Sequence, residues 1–324
     1  MKPPISSEPS IADIEAADRR IAPFIHRTPV LTCRTIDERS GARIFFKCEN
    51  FQKGGAFKIR GACNTLFSLD DESLRRGVVT HSSGNHAAAL ALAARWRKTR
   101  AYVVMPETAP AVKKAAVASY GAEITLCPPT LADREAFTAD IIARTGAVLV
   151  HPYNDVRIIT GQATAALELC RSVEDLDVMM APVGGGGLVS GTALAVAAVS
   201  PMTDVIAAEP AGADDAFRSL AAGRLILMQN PQTIADGLRT SLGDLTFPII
   251  RRYVKAVVTV DEDEIVAAMR LVWERMKIIV EPSAAVPVAA LLKPETHLAG
   301  KRVGVILSGG NVNLADLPFA AKPV

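Results

Sequence analysis

Four consecutive glycines, Gly184, Gly185, Gly186 and Gly187, stand between an apolar run over 178–183 and an alanine-rich stretch over 188–199. A strand, a glycine turn and a helix in that order form an anion site. Glycine lacks Cβ, so the backbone approaches a ligand closely. The helix aims unpaired N–H groups and its positive dipole end at the same point. The ligand expected there carries a phosphate. No Lys-Ser or Lys-Thr follows the glycines, so this is not a Walker loop. A dinucleotide site wants an acidic residue about 20 residues further on, and Glu209 stands near that spacing, but the run is denser in glycine than that fingerprint and falls mid-chain. A flexible surface turn fits poorly, because four glycines cost conformational entropy and both flanks are apolar.

Three further segments gather residues capable of chemistry. In the first, over 49–62, Lys58 follows a glycine pair and stands beside Phe57. Apolar surroundings lower an amine's pKa and make it a nucleophile and base; on its own, a solvated surface lysine is the plainer reading. The second runs Thr80-His-Ser-Ser-Gly-Asn-His86, directly before a helix that its hydroxyls and amide would cap. The third is Leu307-Ser-Gly-Gly-Asn311, where Ser308 either meets a ring nitrogen or makes a turn.

The elements that must position these loops alternate. Helices are expected over 11–21, from 86 to 97, and over 109–120, 131–145, 162–171, 188–199, 263–277 and 284–292. Strands are expected over 42–48, 77–81, 100–105, 123–126, 148–151, 178–183, 205–209, 256–260 and 303–307. Strands alternating with helices imply parallel sheets of βαβ units, an α/β fold whose ligands lie beyond the C-terminal ends of the strands. The strands from 77 to 151 form one compact set. The expected division is a small domain over 71–154 inserted into a large one built from 1–70 and 155–324.

With 324 residues and 49% hydrophobic content, the chain can bury a large core. A net charge of +2 and 5% aromatics suggest neither a nucleic-acid nor a membrane-surface partner. No apolar run approaches the roughly 20 residues of a spanning helix. The polar, proline-rich start does not read as a signal peptide. Cys33, Cys48, Cys63, Cys127 and Cys170 are scattered singly, without a CxxC pair, which points to a reduced, cytoplasmic enzyme.

Taken together, five motifs give a resemblance over nearly the whole chain. They are Glu49-Asn-x-Gln-x-x-x-x-Phe-Lys58-x-Arg-Gly-Ala62, Ser82-Ser-Gly-Asn-His86, Gly184-Gly-Gly-Gly-Leu188, Glu281-Pro-Ser283 and Ser308-Gly-Gly-Asn311. In this order and spacing the chain resembles the fold-type-II, tryptophan-synthase-β-like pyridoxal-phosphate enzymes, in their serine/threonine dehydratase and serine racemase branch. The resemblance implies two mostly parallel twisted sheets flanked by helices, and a homodimer. It implies that Lys58 carries pyridoxal 5'-phosphate covalently, with Phe57 by the ring and Asn85 on its 3-oxygen. Gly184 to Leu188 hold the phosphate, Ser308 faces the pyridine nitrogen and Tyr153 borders the cofactor. Ser82, Ser83, Gly84, Asn85 and His86 grip the carboxylate of a small amino-acid substrate.

The implied chemistry is β-elimination. Freed by the substrate amine, Lys58 takes the Cα proton, and the ring spreads the charge left behind. A serine at the pyridine nitrogen does not force that nitrogen to stay protonated, so loss of a β-hydroxyl competes well with full delocalisation. Water leaves, and an enamine becomes a 2-oxo acid and ammonia. A racemase is the alternative, with Ser83 as the acid/base on the opposite face. A non-catalytic phosphate-ligand binding protein is the alternative from another class.

Glu209 and Asp215 bracket a short loop. Carboxylates and a loop carbonyl suit Mg²⁺ or Ca²⁺; the plainer reading is solvated carboxylates at a helix start. By resemblance, Glu209, the Ala213 carbonyl and Asp215 match a divalent-cation site (Mg²⁺, Ca²⁺ or Mn²⁺) of the racemase-like branch, remote from the reacting carbon. The chain departs from the family at Gly54-Gly-Ala56, at Gly161-Gln-Ala-Thr164 and at Ala284, changes expected to bear on the substrate pocket. With no regulatory domain expected after Asn311, a catabolic dehydratase fits. Serine, threonine, 3-hydroxyaspartate and bulkier β-hydroxy amino acids are the substrate types left open; Arg134 and Lys53 are candidates by position for a second carboxylate, a solvated charge being the plainer reading of each.

Overall fold

The structure, a computed structural model, describes residues 8–82 and 84–319. Among the described residues ten strands build two sheets. In the first half of the chain these are Val30–Leu31 (β1), Arg43–Cys48 (β2), Val78–His81 (β3), Ala101–Pro106 (β4), Glu123–Cys127 (β5) and Val148–Leu149 (β6). Val178–Pro182 (β7), Asp204–Pro210 (β8), Ala256–Val260 (β9) and Arg302–Leu307 (β10) follow. One sheet has the order β1-β2-β10-β7-β8-β9, parallel except for the antiparallel β1–β2 pair. The other, β5-β4-β3-β6, is parallel throughout.

The larger sheet is covered on both faces. Along β7, Val178 and Met180 join a core with the helices Glu262–Met276 and Pro282–Leu291. Met179 and Ala181 join a second core with the helices Val156–Ser172 and Gly187–Val199. This is the two-residue alternation of a strand, with apolar residues on both sides because helices close both faces. The first helix, Ile11–Ile21, starts where its sequence says: Ser10 and Asp13 form a reciprocal capping box.

Several elements depart from expectation. The helix expected from 162 begins at Val156, six residues earlier, where the Asp155 side chain accepts from the Arg157 N–H. Helices also form over Lys58–Phe67, Asp215–Ala222 and Thr246–Tyr253, and β6 keeps only two residues of the strand expected over 148–151. Gly61 and Gly161 explain one tight joint. A Cβ on Gly161 would stand 2.6 Å from the Gly61 Cα, so both glycines let the lysine helix lie against Val156–Ser172.

Every candidate loop leaves the C-terminal end of a strand: Glu49 after β2, Ser82 after β3, Pro152 after β6, Gly184 after β7, Glu209 at the end of β8 and Ser308 after β10. Lys113, on the helix Ala111–Ser119, pairs with Asp236 across from the smaller sheet's side of the cleft. Among the described residues no helix is long and apolar enough to cross a membrane.

Candidate active site

The tetraglycine turn is built to exclude side chains. Gly186 has φ +89° and caps the helix Gly187–Val199, a left-handed conformation that glycine adopts without cost. At Gly185 a Cβ would overlap the ring of Tyr153. Thr246 locks the turn from behind: its Oγ1 donates to the Gly185 carbonyl at 2.9 Å and accepts from the Gly243 N–H at 2.9 Å. Leu188, second residue of the helix, is buried. The result is a backbone cradle at the N-terminus of a 13-residue helix, the arrangement that binds phosphate.

Lys58 opens the helix Lys58–Phe67. Its Nζ donates to the Pro152 carbonyl at 2.8 Å and lies 5.1 Å from the Phe57 ring centroid. Pro152 precedes Tyr153, so one short segment joins the lysine to the glycine turn. Burial pulls the Lys58 amine down to about 8, and the Glu281 carboxylate, pulling the other way, limits the fall. Phe57 donates its backbone N–H to the Ser308 carbonyl at 3.0 Å, which brings the last strand's loop alongside. Ser308 is buried.

Asn85 opens the helix Asn85–Arg97, with Gly84 as its cap and Ser82 next to the end of β3. Its amide meets Glu281 and Asn311, at the Ser308 turn. His86 is buried, with Nε2 against the Val150 carbonyl and Nδ1 without a partner. Burial first and the Lys58 charge second hold its pKa well below the usual imidazole range. His151 is pushed down to about 4, by burial and then by His81 and Lys58. These imidazoles are neutral at pH 7 and fit for hydrogen bonding. Burial raises the Tyr153 hydroxyl to about 12, so it stays protonated. Ser83 lies outside the described residues.

The long motif over 49–62 divides by location. Lys58, Phe57 and Gly54 meet the loops after the strands: Lys58 at Pro152, Phe57 at Ser308 and Gly54 at Asn311. Arg60 is fully buried and bridges Glu49 (2.7 and 2.8 Å) and Glu168 (2.8 and 2.9 Å), while Lys47 also pairs with Glu168. Gln52 closes on the backbone of His26 with both ends of its amide. Of the three departures from the family pattern, Gly54-Gly-Ala56 lies against the turn after β10, where the Asn311 amide donates to the Gly54 carbonyl and the Gly310 N–H to the Gly55 carbonyl; the other two lie in the core. Ala163 and Ala284 are core residues at 0% exposure, and the Gln162 Oε1 accepts from the Gly61 N–H at the helix joint.

Glu209 and Asp215 are not solvated: both are fully buried. Glu209 accepts from the Ala216 and Phe217 N–H groups at the start of the helix Asp215–Ala222. Asp215 Oδ2 accepts from the Leu242 N–H, while Oδ1 has no partner. Burial drives Glu209 up to about 8 and Asp215 up to about 6. Ala213 is buried in the 3-10 turn between them. Among the described residues no three His, Cys, Asp or Glu side chains converge as a metal cluster. An orphaned buried carboxylate oxygen beside a second buried carboxylate is nevertheless a donor set that fits a hard cation.

Among the two cations considered for a second substrate carboxylate, Lys53 lies over the Trp96 ring, 5.2 Å from its centroid. The Arg134 charge, by contrast, bears on His81 and Tyr153. Sequence reasoning did not assign roles to Thr246, to the Pro152 carbonyl, or to the side chains of Glu281 and Asn311. Glu281 and Asn311 stand inside recognised motifs, which is the signal that marks them. Thr246 and Pro152 carry none.

A lysine whose pKa is lowered by burial stands between a glycine turn at a helix N-terminus and a serine turn, at the C-terminal edges of parallel strands. The profile of the pyridoxal-phosphate dependent enzymes matches residues 21–309, and the chain belongs to that family. It is 52% identical over 312 residues to a serine racemase of Dictyostelium discoideum, covering 95% of this chain and 96% of the relative. It is 51% identical over 311 residues to a beta-hydroxyaspartate dehydratase of Paracoccus denitrificans, covering 96% and 99%. The solved structure of maize serine racemase superposes with a TM-score of 0.94 at 48% identity, covering 95% of this chain and 95% of that one.

Proposed function

We propose that this chain is a pyridoxal-phosphate-dependent ammonia-lyase that eliminates water from a β-hydroxy amino acid, giving a 2-oxo acid and ammonia. The observation that carries this is Lys58: a partly buried amine pulled down to about 8, hydrogen-bonded at the segment that packs on the glycine cradle. Pyridoxal phosphate, when bound, supplies an electron sink for charge developing at Cα. Lys58 then serves as the base that removes the Cα proton, since its free form is accessible near neutral pH. Gly184 to Leu188 fix the phosphate through backbone N–H groups. Ser82, Gly84, Asn85 and His86 orient the substrate carboxylate. Loss of the β-hydroxyl as water leaves a free enamine; it tautomerises to an imine, and one water is consumed as ammonia departs.

Within this class, a substrate with a second carboxylate is favoured. A dehydratase of beta-hydroxyaspartate is 51% identical, and Arg134 is a candidate cation, its charge bearing on His81 and Tyr153 with the neighbouring Glu135 acting in the opposite direction on both. The test is oxo-acid release from serine, threonine and 3-hydroxyaspartate. Arg134→Met should lower kcat/KM for 3-hydroxyaspartate at least tenfold and leave serine within threefold. An equal effect on both would remove Arg134 from specificity, and no oxo acid from any of the three would refute the lyase.

Racemisation is the second reading, favoured by 52% identity to a serine racemase and by the serine at position 83. Ser83→Ala should suppress formation of the opposite enantiomer far more than oxo-acid release. Equal loss of both would refute the role given to Ser83. Both readings include a cation on Glu209, Asp215 and the Ala213 carbonyl, a homodimer, a cytoplasmic location, and domains over 1–70 with 155–324 and over 71–154.

A further inference from the structure

The acid of the Glu281-Pro-Ser283 motif takes no part in the chemistry above. Glu281 is 4% exposed and stands at the junction of three site loops. Its backbone N–H donates to the Gly309 carbonyl at 3.0 Å. Its Oε1 lies 2.5 Å from the place a Cβ on Gly309 would take, so glycine next to Ser308 makes room for this carboxyl. Asn85 Nδ2 donates to Glu281 Oε1 at 2.8 Å and approaches Oε2 at 3.1 Å. From the other side, Asn311 Nδ2 donates to Asn85 Oδ1 at 2.9 Å and to the Gly54 carbonyl at 2.8 Å.

The hydrogen-bond inventory of one amide then decides its orientation. Asn85 has two N–H donors and one accepting oxygen. Asn311 has spent both of its protons, one of them on Asn85 Oδ1, so that oxygen must face Asn311. Glu281 accepts, so the Asn85 nitrogen must face Glu281. Both constraints select the same flip state, and they leave one Asn85 N–H uncommitted. Reversal would set oxygen against the Glu281 carboxyl and nitrogen against a donor, losing two hydrogen bonds, one of them to the buried Glu281.

We propose that Glu281, together with Asn311, is a positioning residue that locks the Asn85 amide with its free N–H toward the cofactor's ring oxygen. This rests on the pyridoxal-phosphate reading above. Without Glu281 the amide rotates, and its oxygen competes for the place where a donor is needed. A ring oxygen that loses its donor changes the balance between the protonation forms of the bound cofactor, which absorb at different wavelengths.

The test uses holoenzyme and reads the absorbance-band ratio of the bound cofactor and its rate of loss on dilution. Glu281→Ala and Asn311→Ala should each change the band ratio at least twofold and speed cofactor loss about tenfold. Glu281→Gln, which keeps an accepting oxygen, should restore most of both. Asn85→Ala should show the same change, and adding Glu281→Ala to it should add nothing. Asn311 is exposed, so its variant keeps the test decisive where Glu281→Ala folds poorly. A wild-type band ratio in Asn311→Ala and Glu281→Ala, full additivity with Asn85→Ala, or Glu281→Gln behaving as alanine would overturn the proposal. A wild-type protein that binds no cofactor would overturn the functional reading itself, a distinct result.

Discussion

Gly185 lies flat against the ring of Tyr153, with no space between them for a Cβ. The contact joins the turn after β7 to the segment after β6, and so joins the two sheets at the glycine turn. The same segment receives the Lys58 amine one residue earlier, at the Pro152 carbonyl.

Gly185→Ala should therefore displace Tyr153 or the turn. Overpacking of this kind costs about 1–3 kcal/mol. Cofactor affinity, measured by fluorescence titration of the apoprotein, should fall at least tenfold. Retained affinity would mean that the turn is not held in this geometry.

Arg60 should prove a structural keystone two residues from Lys58. Arg60→Met leaves Glu49 and Glu168 facing one another with only Lys47 to offset them. Breaking a buried ion pair from one side costs about 3–5 kcal/mol. Chemical denaturation should show a loss of that size, and a loss under about 1 kcal/mol would contradict the cohesion assigned to the cluster.

The reactivity of Lys58 should depend on pH in a defined direction. Burial lowers its pKa from the ordinary 10.5 to about 8, so the free amine appears at lower pH than on a solvated lysine. Acylation of Lys58 in the apoprotein, followed by mass spectrometry, should rise through about pH 8, while exposed lysines rise near their ordinary pKa. The Glu281 charge holds the amine up, so Glu281→Gln should move the Lys58 midpoint lower still. A midpoint with the exposed lysines would contradict the burial argument.

The Glu209–Asp215 site should reveal itself as a coupling of cation, pH and stability. Without a cation, folding raises Glu209 from 4.5 to about 8. The folded protein then holds a proton that the unfolded chain releases, so stability from this group is present at low pH and is lost as pH rises from about 4.5 toward 8. A divalent cation favours the charged carboxylates and opposes that loss, by about 2.7 kcal/mol at a hundredfold excess over Kd. Melting of chelated protein at pH 8 should shift upward on adding Mg²⁺, Ca²⁺ or Mn²⁺, and Glu209→Gln should abolish the shift. Melting indifferent to chelator and cations would remove the site.

Much of this architecture was legible because parallel strands carry continuous apolar runs and end in loops of distinctive composition. The glycine cradle and its helix were readable from 178–199 alone. The lysine helix was not. Its first turn follows Gly54 and Gly55, both at φ +72°, and Gly61 interrupts its pattern for the sake of a contact with Gly161, on a helix far away in the chain. The helix from Val156 was likewise shortened in the reading, since its start depends on the Asp155 cap. Glu209 and Asp215 looked like solvent-facing charges because burial of a carboxylate is a tertiary property. The exclusion of Arg60 and Glu49 from the cleft, and the lock on Asn85, depend on partners far apart in sequence.

The most direct test is borohydride reduction of the purified coloured protein followed by peptide mapping. A single phosphopyridoxyl group should appear on the peptide containing Lys58, and the visible absorbance band should be missing from Lys58→Ala. A colourless protein, a label on another lysine, or an unchanged band in Lys58→Ala would contradict the assignment of this amine as the point of cofactor attachment.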